Sequence, residues 1–342
     1  MIVIMRAGST QAQIDHVADR IQSLGLAVHA SKGEFRTVLG AIGNKQPEHQ
    51  HILEALDGVE QVVPIMRPFK LASREFHPAN SVVDVAGVKM GGGNVVVMAG
   101  PCAVEDRESL RVIAKAVRAS GAAILRGGAF KPRTSPYSFQ GLGEEGLRIL
   151  REVGDEFNMP IVTEVMDIRD VELVERWTDM IQIGARNVQN FNLLQEVGRT
   201  SKPVFLKRGF AITVREFLMS AEYILSQGNQ QVVLCERGIK TFETELRFTF
   251  DVSAVPVMKQ DTHLPVFVDP SHASGRREYV TPLALAGIAA GADGVMVEVH
   301  SCPEAAMCDG PQALYPQMFN EMMQQITAVA QAVGKKMEGP KA

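Results

Sequence analysis

Short apolar runs of strand length occupy residues 1–7 and 59–66, whereas Ile14, Val17, Ile21 and Leu24 recur at helical spacing and share one face of a helix over 10–24. Gly25 supplies the stop for that helix. Two further strands are predicted over 26–32 and 34–42, with Lys32-Gly33 as the turn between them, and a second helix over 47–57. The order βαββαβ predicts a small α+β domain of the ferredoxin-like, split-βαβ kind over residues 1–68. Pro64, Pro68 and Pro78, with Lys70, Arg74 and Glu75 between them, break the periodicity, so residues 69–84 read as a linker.

After a short segment over 82–89 and the Gly91-Gly92-Gly93 turn, the pattern becomes regular. Apolar runs at 95–99, 122–126, 161–165, 180–184, 203–207, 231–235, 265–269 and 294–299 alternate with helical patterns, clearest over 110–120, 171–177, 214–226, 282–290 and 314–333. Eight such units predict an α/β fold, a (β/α)8 TIM barrel over 85–335. A doubly wound open sheet is the alternative, but no glycine-rich dinucleotide fingerprint follows the first strand.

Composition narrows the function classes. The 342 residues are 46% hydrophobic and 22% charged, as in an ordinary globular protein with a large core. A formal charge of −4 gives no general attraction to nucleic acid or to an anionic membrane, while leaving room for a local cationic pocket. The apolar start at residues 1–5 ends at Arg6, too short for a signal sequence or a membrane span, so the expectation is a cytoplasmic protein. Cys102, Cys235, Cys302 and Cys308 show no CxxC spacing, which indicates neither a disulfide framework nor a zinc knuckle.

The chemistry is concentrated just past the predicted strands. There stand Gly100-Pro101-Cys102, Arg126 with Lys131 and Arg133, Glu164, Ala185-Arg186, Lys207-Arg208, Glu236-Arg237, Asp269-Pro270-Ser271-His272 and Glu298-Val299-His300. Loops are polar in any protein, but five or six cations at one barrel mouth repel unless an anion neutralises them. Two phosphates, or a phosphate and a carboxylate, would do so through charge-assisted contacts. Cys102, His272, Glu298 and Asp309 form a second set, a thiol, an imidazole and two carboxylates able to bind a divalent transition metal. Cys235 reads as core. Cys302 and Cys308, flanking the last loop, read as spectators or auxiliary thiols, with oxidation of a thiol against Cys102 as a liability.

On these residues the chain resembles the type Iβ 3-deoxy-D-arabino-heptulosonate 7-phosphate (DAHP) synthases, which begin the shikimate pathway. The anchors are Ala99-Gly100-Pro101-Cys102, Phe130-Lys131-Pro132-Arg133-Thr134-Ser135-Pro136, Ile183-Gly184-Ala185-Arg186, Leu206-Lys207-Arg208-Gly209, Leu234-Cys235-Glu236-Arg237-Gly238, Asp269-Pro270-Ser271-His272 and Glu298-Val299-His300. The resemblance implies condensation of phosphoenolpyruvate with D-erythrose 4-phosphate and water, giving DAHP and phosphate. Arg126, Lys131, Ala185, Arg186, Lys207 and Arg237 would then hold phosphoenolpyruvate, and Arg133, Thr134 and Ser135 the aldose phosphate. Cys102, His272, Glu298 and Asp309 match the family's ligands for one divalent ion, manganese, iron, cobalt or zinc. Lys131, Glu164, His272 or water on the ion would move the protons. The last loop departs from the usual pattern: Ser301 follows His300 where relatives carry Pro, and Cys308 precedes Asp309-Gly310 where they carry Ser.

For the small domain the resemblance implies an ACT-like sensor of tyrosine or phenylalanine in a homotetramer, with His29 and Ser31 as candidate effector contacts; capping the barrel or widening a subunit interface is the plainer role. The rival enzyme is 3-deoxy-octulosonate 8-phosphate synthase, which takes arabinose 5-phosphate. The Lys131-to-Ser135 run, where those relatives carry Asn, and the additional domain argue against it. A Schiff-base aldolase acting through Lys207 and a catalytically silent amino-acid sensor are the remaining readings, the last opposed by intact Cys102, Lys131, Arg186 and His272.

Overall fold

In the N-terminal part of the chain four strands, β1 (Ile2–Met5), β2 (Ala27–Lys32), β3 (Thr37–Ile42) and β4 (Val59–Val63), form an antiparallel sheet in the order β2-β3-β1-β4. The computed structural model describes residues 1–33, 36–43, 46–63, 68–133 and 135–340. These fall into two compact units, Met1–Asn80 with Asp261–His263, and Ser81–Gln260 with Leu264–Ala342. Helices α1 (Gln11–Ser23) and α2 (Pro47–Glu54) complete the βαββαβ order. The core of this unit gathers Val3 and Met5 of β1, Leu39 and Ala41 of β3, and Val59 and Val62 of β4 with Ile14, Val17 and Ile21 of α1 and Leu53 of α2. A reciprocal capping box between Thr10 and Gln13 starts α1, and Gly25, at φ +75°, turns the chain out of it. Residues 34–35 of the expected strand 34–42 and residues 64–66 of the expected strand 59–66 lie outside the described residues.

The stretch read as a linker is packed. Phe69, Leu71, Ala72 and Phe76 are buried, and the Phe76 ring lies where a side chain on Gly40 would be, 2.4 Å from the position of its Cβ. Prolines and charges set the composition of this stretch, but its few large apolar residues govern its packing.

The second unit is a closed parallel barrel of eight strands following a hairpin. The hairpin strands are β5 (Val82–Val85) and β6 (Val88–Gly91). The barrel strands are β7 (Asn94–Gly100), β8 (Ile124–Arg126), β9 (Ile161–Val165), β10 (Met180–Ile183), β11 (Val204–Lys207), β12 (Val232–Glu236), β13 (Val266–Val268) and β14 (Gly294–Glu298). Each pairs with the next, and β14 returns to β7 to close the ring. Around them lie α3 (Arg107–Ala119), α4 (Glu144–Glu156), α5 (Val171–Trp177), α6 (Phe191–Gly198), α7 (Val214–Leu225), α8 (Ala254–Asp261), α9 (Pro270–Ser274), α10 (Val280–Ala289) and α11 (Pro316–Ala332). Strands covered by side chains inside and helices outside are buried on both faces, which is why they read as continuous apolar runs.

The short 82–89 segment has a role that its length conceals. Val83, Val85, Val88 and Met90 join one buried cluster with Met98, Ile124, Val162, Phe205, Phe267 and Met296 of the barrel strands. Since Gly91-Gly92-Gly93 leads straight into the first residue of β7, the hairpin plugs the amino-terminal end of the barrel. Its turn needs positive φ at Ala86 (+46°) and Gly87 (+93°), and the Asp84 carboxylate accepts the Gly87 N–H. A last strand, β15 (Lys336–Glu338), pairs with the amino-terminal half of β7. Among the described residues no helix is long and apolar enough to cross a membrane.

Met90 is fully buried in the plug, so Met90→Ala removes packing without a way to refill it. Urea unfolding should register a loss of about 2–5 kcal/mol; a loss well under 1 kcal/mol would mean that the hairpin is not part of the core.

Candidate active site

Parallel strands deliver their carboxyl ends to one mouth, and every sequence-predicted barrel residue that the structure describes lies there. Arg126 is the last residue of β8, Lys207 of β11 and Glu298 of β14, while Glu164 is the fourth residue of β9. Cys102 follows β7, Arg186 follows β10 and Arg237 follows β12; His272 sits in α9, whose N-cap Asp269 accepts the His272 backbone N–H. The loop after β8 carries Lys131, Arg133 and Ser135, and the loop after β14 carries Asp309 in the left-handed region at φ +54°. All of them but Cys102, Glu298 and Asp269 line a cavity of about 300 Å³; Glu298 and Cys102 touch its lining residues His272 and Asp309, respectively.

One group at its wall has the chemistry of a metal centre. One potential ligand atom from each of Cys102, His272, Glu298 and Asp309 lies within 4.8 Å of all the others. His272 Nε2 is 3.2 Å from Glu298 Oε1 and 3.8 Å from Asp309 Oδ2, and Cys102 Sγ is 3.3 Å from Asp309 Oδ2. Ligands at about 2.0–2.3 Å from one ion would be separated by such distances. Behind them, His272 Nδ1 lies 2.7 Å from Asp269 Oδ2. Burial opposes charge on Asp269, but the His272 ring and the Lys207 ammonium outweigh it and hold the carboxyl well below its usual range. An ionised Asp269 accepts a hydrogen bond from the Nδ1–H and leaves the Nε2 lone pair facing the other donors. Burial pushes His272 down, against Asp269 and Glu298, which favours the neutral ring that a metal needs. Gln312 Nε2 donates to Glu298 Oε2 at 2.6 Å and fixes that carboxylate from its other side.

The cavity is cationic. Arg126, Lys131, Arg133, Arg186, Lys207, Arg237 and Arg247 line it against the carboxylates Glu164 and Asp309. Several of the cations lean on the metal-type group or on the Asp269 behind it: Arg126 reaches Glu298 at 3.0 Å, Lys207 pairs with Asp269, and Lys131 Nζ donates to Cys102 Sγ at 3.0 Å. Arg247 Nη1 lies 3.3 Å from Asp309 Oδ1. Arg186 and Arg237, among the described residues, have no carboxylate at ion-pair distance. Arg237 is 3% exposed and its Nη1 has no hydrogen-bond partner; burial pushes its guanidinium down to about 10. A buried donor without a partner is costly, and an anion in the cavity removes that cost.

Residues 79–333 match the DAHP synthetase I family, and residues 1–67 match the DAHP synthase ferredoxin-like domain. The chain belongs to the DAHP synthetase I family. Phospho-2-dehydro-3-deoxyheptonate aldolase of Thermotoga maritima is 51% identical over 337 residues, 98% of this chain and all of that one. The crystal structure of a Thermotoga maritima DAHP synthase superposes with a TM-score of 0.79 at 50% identity, covering 98% of each chain. A 2-dehydro-3-deoxyphosphooctonate aldolase of Geobacter sulfurreducens is 32% identical over 268 residues, 72% of this chain and 97% of that one. The chain is thus an enzyme of this family, a barrel with a ferredoxin-like domain before it.

Several neighbours of this family's site escaped the sequence reading. Gln182 donates to Glu164 Oε2 at 3.0 Å, and Gly184 leaves room for that carboxylate, since a Cβ there would lie 2.0 Å from Glu164 Oε1. Arg247 and Phe210 also line the cavity. Of the two alternatives for Cys308, spectator or auxiliary thiol, its position fits the second: its sulfur is 3.1 Å from Cys102 Sγ, and Arg133 donates to it. Cys302 is exposed and Cys235 is fully buried inside β12, as expected. Arg208 and His300, also at strand ends, turn elsewhere, Arg208 to Glu236 and Asp251, and His300 towards Glu105. Thr134 lies outside the described residues. His29 and Ser31 belong to the other unit, half-buried on β2 at the edge of its sheet.

Binding of a divalent ion by these four donors would have a defined pH sense. The hydrogen bond to Cys308 and burial push the Cys102 thiol well above its usual value, and burial with the Cys102 sulfur beside it pushes Glu298 up to about 7. Both groups carry protons that an ion must displace, so affinity should fall as pH drops from 8 to 6. In cobalt(II) titrations followed by the thiolate-to-metal absorption band, Asp269→Asn should weaken uptake about 10- to 100-fold and Cys102→Ser should abolish the band. Cys302→Ser should change nothing; equal effects from the two cysteine substitutions would refute the assignment.

Proposed function

We propose that the chain is a metal-dependent 3-deoxy-7-phosphoheptulonate synthase. It joins phosphoenolpyruvate to D-erythrose 4-phosphate with uptake of water, releases DAHP and phosphate, and so opens the shikimate pathway to the aromatic amino acids. The observation that carries this reading is a four-donor metal-type group, two of whose members line the cavity, beside cations that exceed the carboxylates lining it.

Arg126, Lys131, Arg186, Lys207 and Arg237 hold the phosphate and carboxylate of phosphoenolpyruvate, with Ala185 shaping the wall beside Arg186. Arg133, with Thr134 and Ser135, takes the phosphate of the aldose, so the two substrates meet above Lys131. Cys102, His272, Glu298 and Asp309 hold one divalent ion, with manganese, iron, cobalt and zinc all suited to the donor mixture. When bound, the ion supplies a Lewis acid for the aldose carbonyl. C3 of phosphoenolpyruvate forms the new bond to the aldehyde carbon, water adds at C2, and the C2–O bond breaks as phosphate leaves. The attacking water gives up both of its protons as the C2 ketone forms, one balanced by the proton gained at the new hydroxyl and one by that gained by the departing phosphate. Lys131, Glu164 and His272 line the cavity and are the groups available for those transfers.

The ferredoxin-like unit is read as a sensor of tyrosine or phenylalanine in a cytoplasmic homotetramer. His29 and Ser31, two residues apart on edge strand β2, share one face of the sheet and are the proposed effector contacts.

Phosphate release from phosphoenolpyruvate should require erythrose 4-phosphate, be stopped by a chelator and return with added divalent ion. Release with arabinose 5-phosphate instead would transfer the reading to the octulosonate enzymes. Arg133→Ala should raise the KM for the aldose about tenfold or more while leaving that for phosphoenolpyruvate nearly constant. Tyrosine or phenylalanine should inhibit the full chain but not a truncated one beginning near residue 70; activity insensitive to both amino acids in both chains would end the regulatory reading.

A further inference from the structure

Two cations of the cavity, Arg186 and Arg237, lie against aromatic faces and, among the described residues, have no carboxylate at ion-pair distance; Arg247 also lies over Phe248, at 5.7 Å, but reaches Asp309 as well. Phe210, in the loop after β11, and Phe248, in the loop after β12, stack with their ring centroids 5.0 Å apart and their planes 1° from parallel. The Arg237 guanidinium carbon lies 4.3 Å from the centroid of Phe248 and 5.0 Å from that of Phe210, and Arg186 lies 5.5 Å from Phe210. Each distance is within the range of a cation–π contact.

The backbone fixes this pair. Lys240 N donates to Phe210 O at 2.7 Å, which ties the two loops together, and Phe248 N donates to Ala273 O at 2.9 Å. Ile239 and Thr249 exchange backbone hydrogen bonds at 2.9 and 3.0 Å. Gly238, next to Arg237, adopts φ +91°, and a Cβ there would be 2.7 Å from Phe248 Cβ, so only glycine fits.

A carboxylate would grip either arginine more tightly, but it would cancel its charge and compete with the incoming substrate anion. A π face attracts a cation and carries no net charge. We propose that Phe210 and Phe248 are positioning residues for the substrate anion, holding Arg186 and Arg237 in place with their full charge directed at phosphoenolpyruvate. This rests on the reading of phosphoenolpyruvate as the substrate of these two arginines.

The test uses the metal-loaded full chain, with phosphoenolpyruvate binding measured by calorimetry and both KM values by phosphate release. Phe210→Leu and Phe248→Leu should each weaken phosphoenolpyruvate about 2- to 30-fold, with the KM for erythrose 4-phosphate unchanged and kcat largely kept at saturating phosphoenolpyruvate. Phe210→Tyr, which keeps the π face, should restore the affinity. Phe210 is only half-buried, so its variants decide the matter even if Phe248→Leu fails to fold. Unaltered affinity in Phe210→Leu, equal weakening of both substrates, or a Tyr variant as weak as the Leu variant would overturn the proposal. A wild-type chain that binds phosphoenolpyruvate but releases no phosphate with erythrose 4-phosphate would sink the reaction reading and leave this measurement valid.

Discussion

Like charges crowded at the mouth of a barrel repel, and the design of this site follows from how that repulsion is managed. Part of the positive charge is balanced from within. Arg126, Lys207 and Arg247 rest on the carboxylates of Glu298, Asp269 and Asp309, while Lys131 and Arg133 donate to the sulfurs of Cys102 and Cys308. Arg186 and Arg237 have no carboxylate partner among the described residues and lie against Phe210 and Phe248. An anion in the cavity would offset the charge this arrangement leaves unpaired, and its two kinds of support separate the metal-type donors from the two arginines that lack a carboxylate.

That electrostatic strain has to be carried by something rigid. The barrel supplies it by separating chemistry from stability along its axis. The β5–β6 hairpin fills the amino-terminal end with Val83, Val85, Val88 and Met90, while the carboxyl-terminal end keeps its charged side chains around an open cavity. Many buried apolar contacts at one end offset the desolvation of charges at the other. The loops can then carry unusual backbone, such as the left-handed Asp309, because the strands beneath them do not yield.

The two helical and strand periods, the turn glycines and the strand-end cations were open to reading from the residues because each is a local signal. Ile14, Val17 and Ile21 announce the buried face of α1 by spacing alone, and Cys102, His272, Glu298 and Asp309 are, by residue type, donors able to bind a divalent metal. The packing of Phe69, Leu71 and Phe76 was hidden by the prolines around them, and Arg247 and Phe210 carried no such signal, since an arginine or a phenylalanine in a loop is compatible with a solvated surface. A clue was available in Phe210, which stands three residues past Lys207 in a loop already rich in cations.

By itself, then, the sequence determined the alternation that makes a barrel, the order of a split-βαβ unit, and the residue types at each strand end. Those follow from the period of hydrophobicity and from charge, which act over a few residues. Only the tertiary structure decided which strand-end residues face the same cavity. Arg237 turns inward onto Phe248 while Arg208 turns to Glu236 and Asp251, and Cys308 comes to rest against Cys102 from 206 residues away. Such choices depend on side-chain directions and on loop closure across the whole barrel, and no local pattern encodes either.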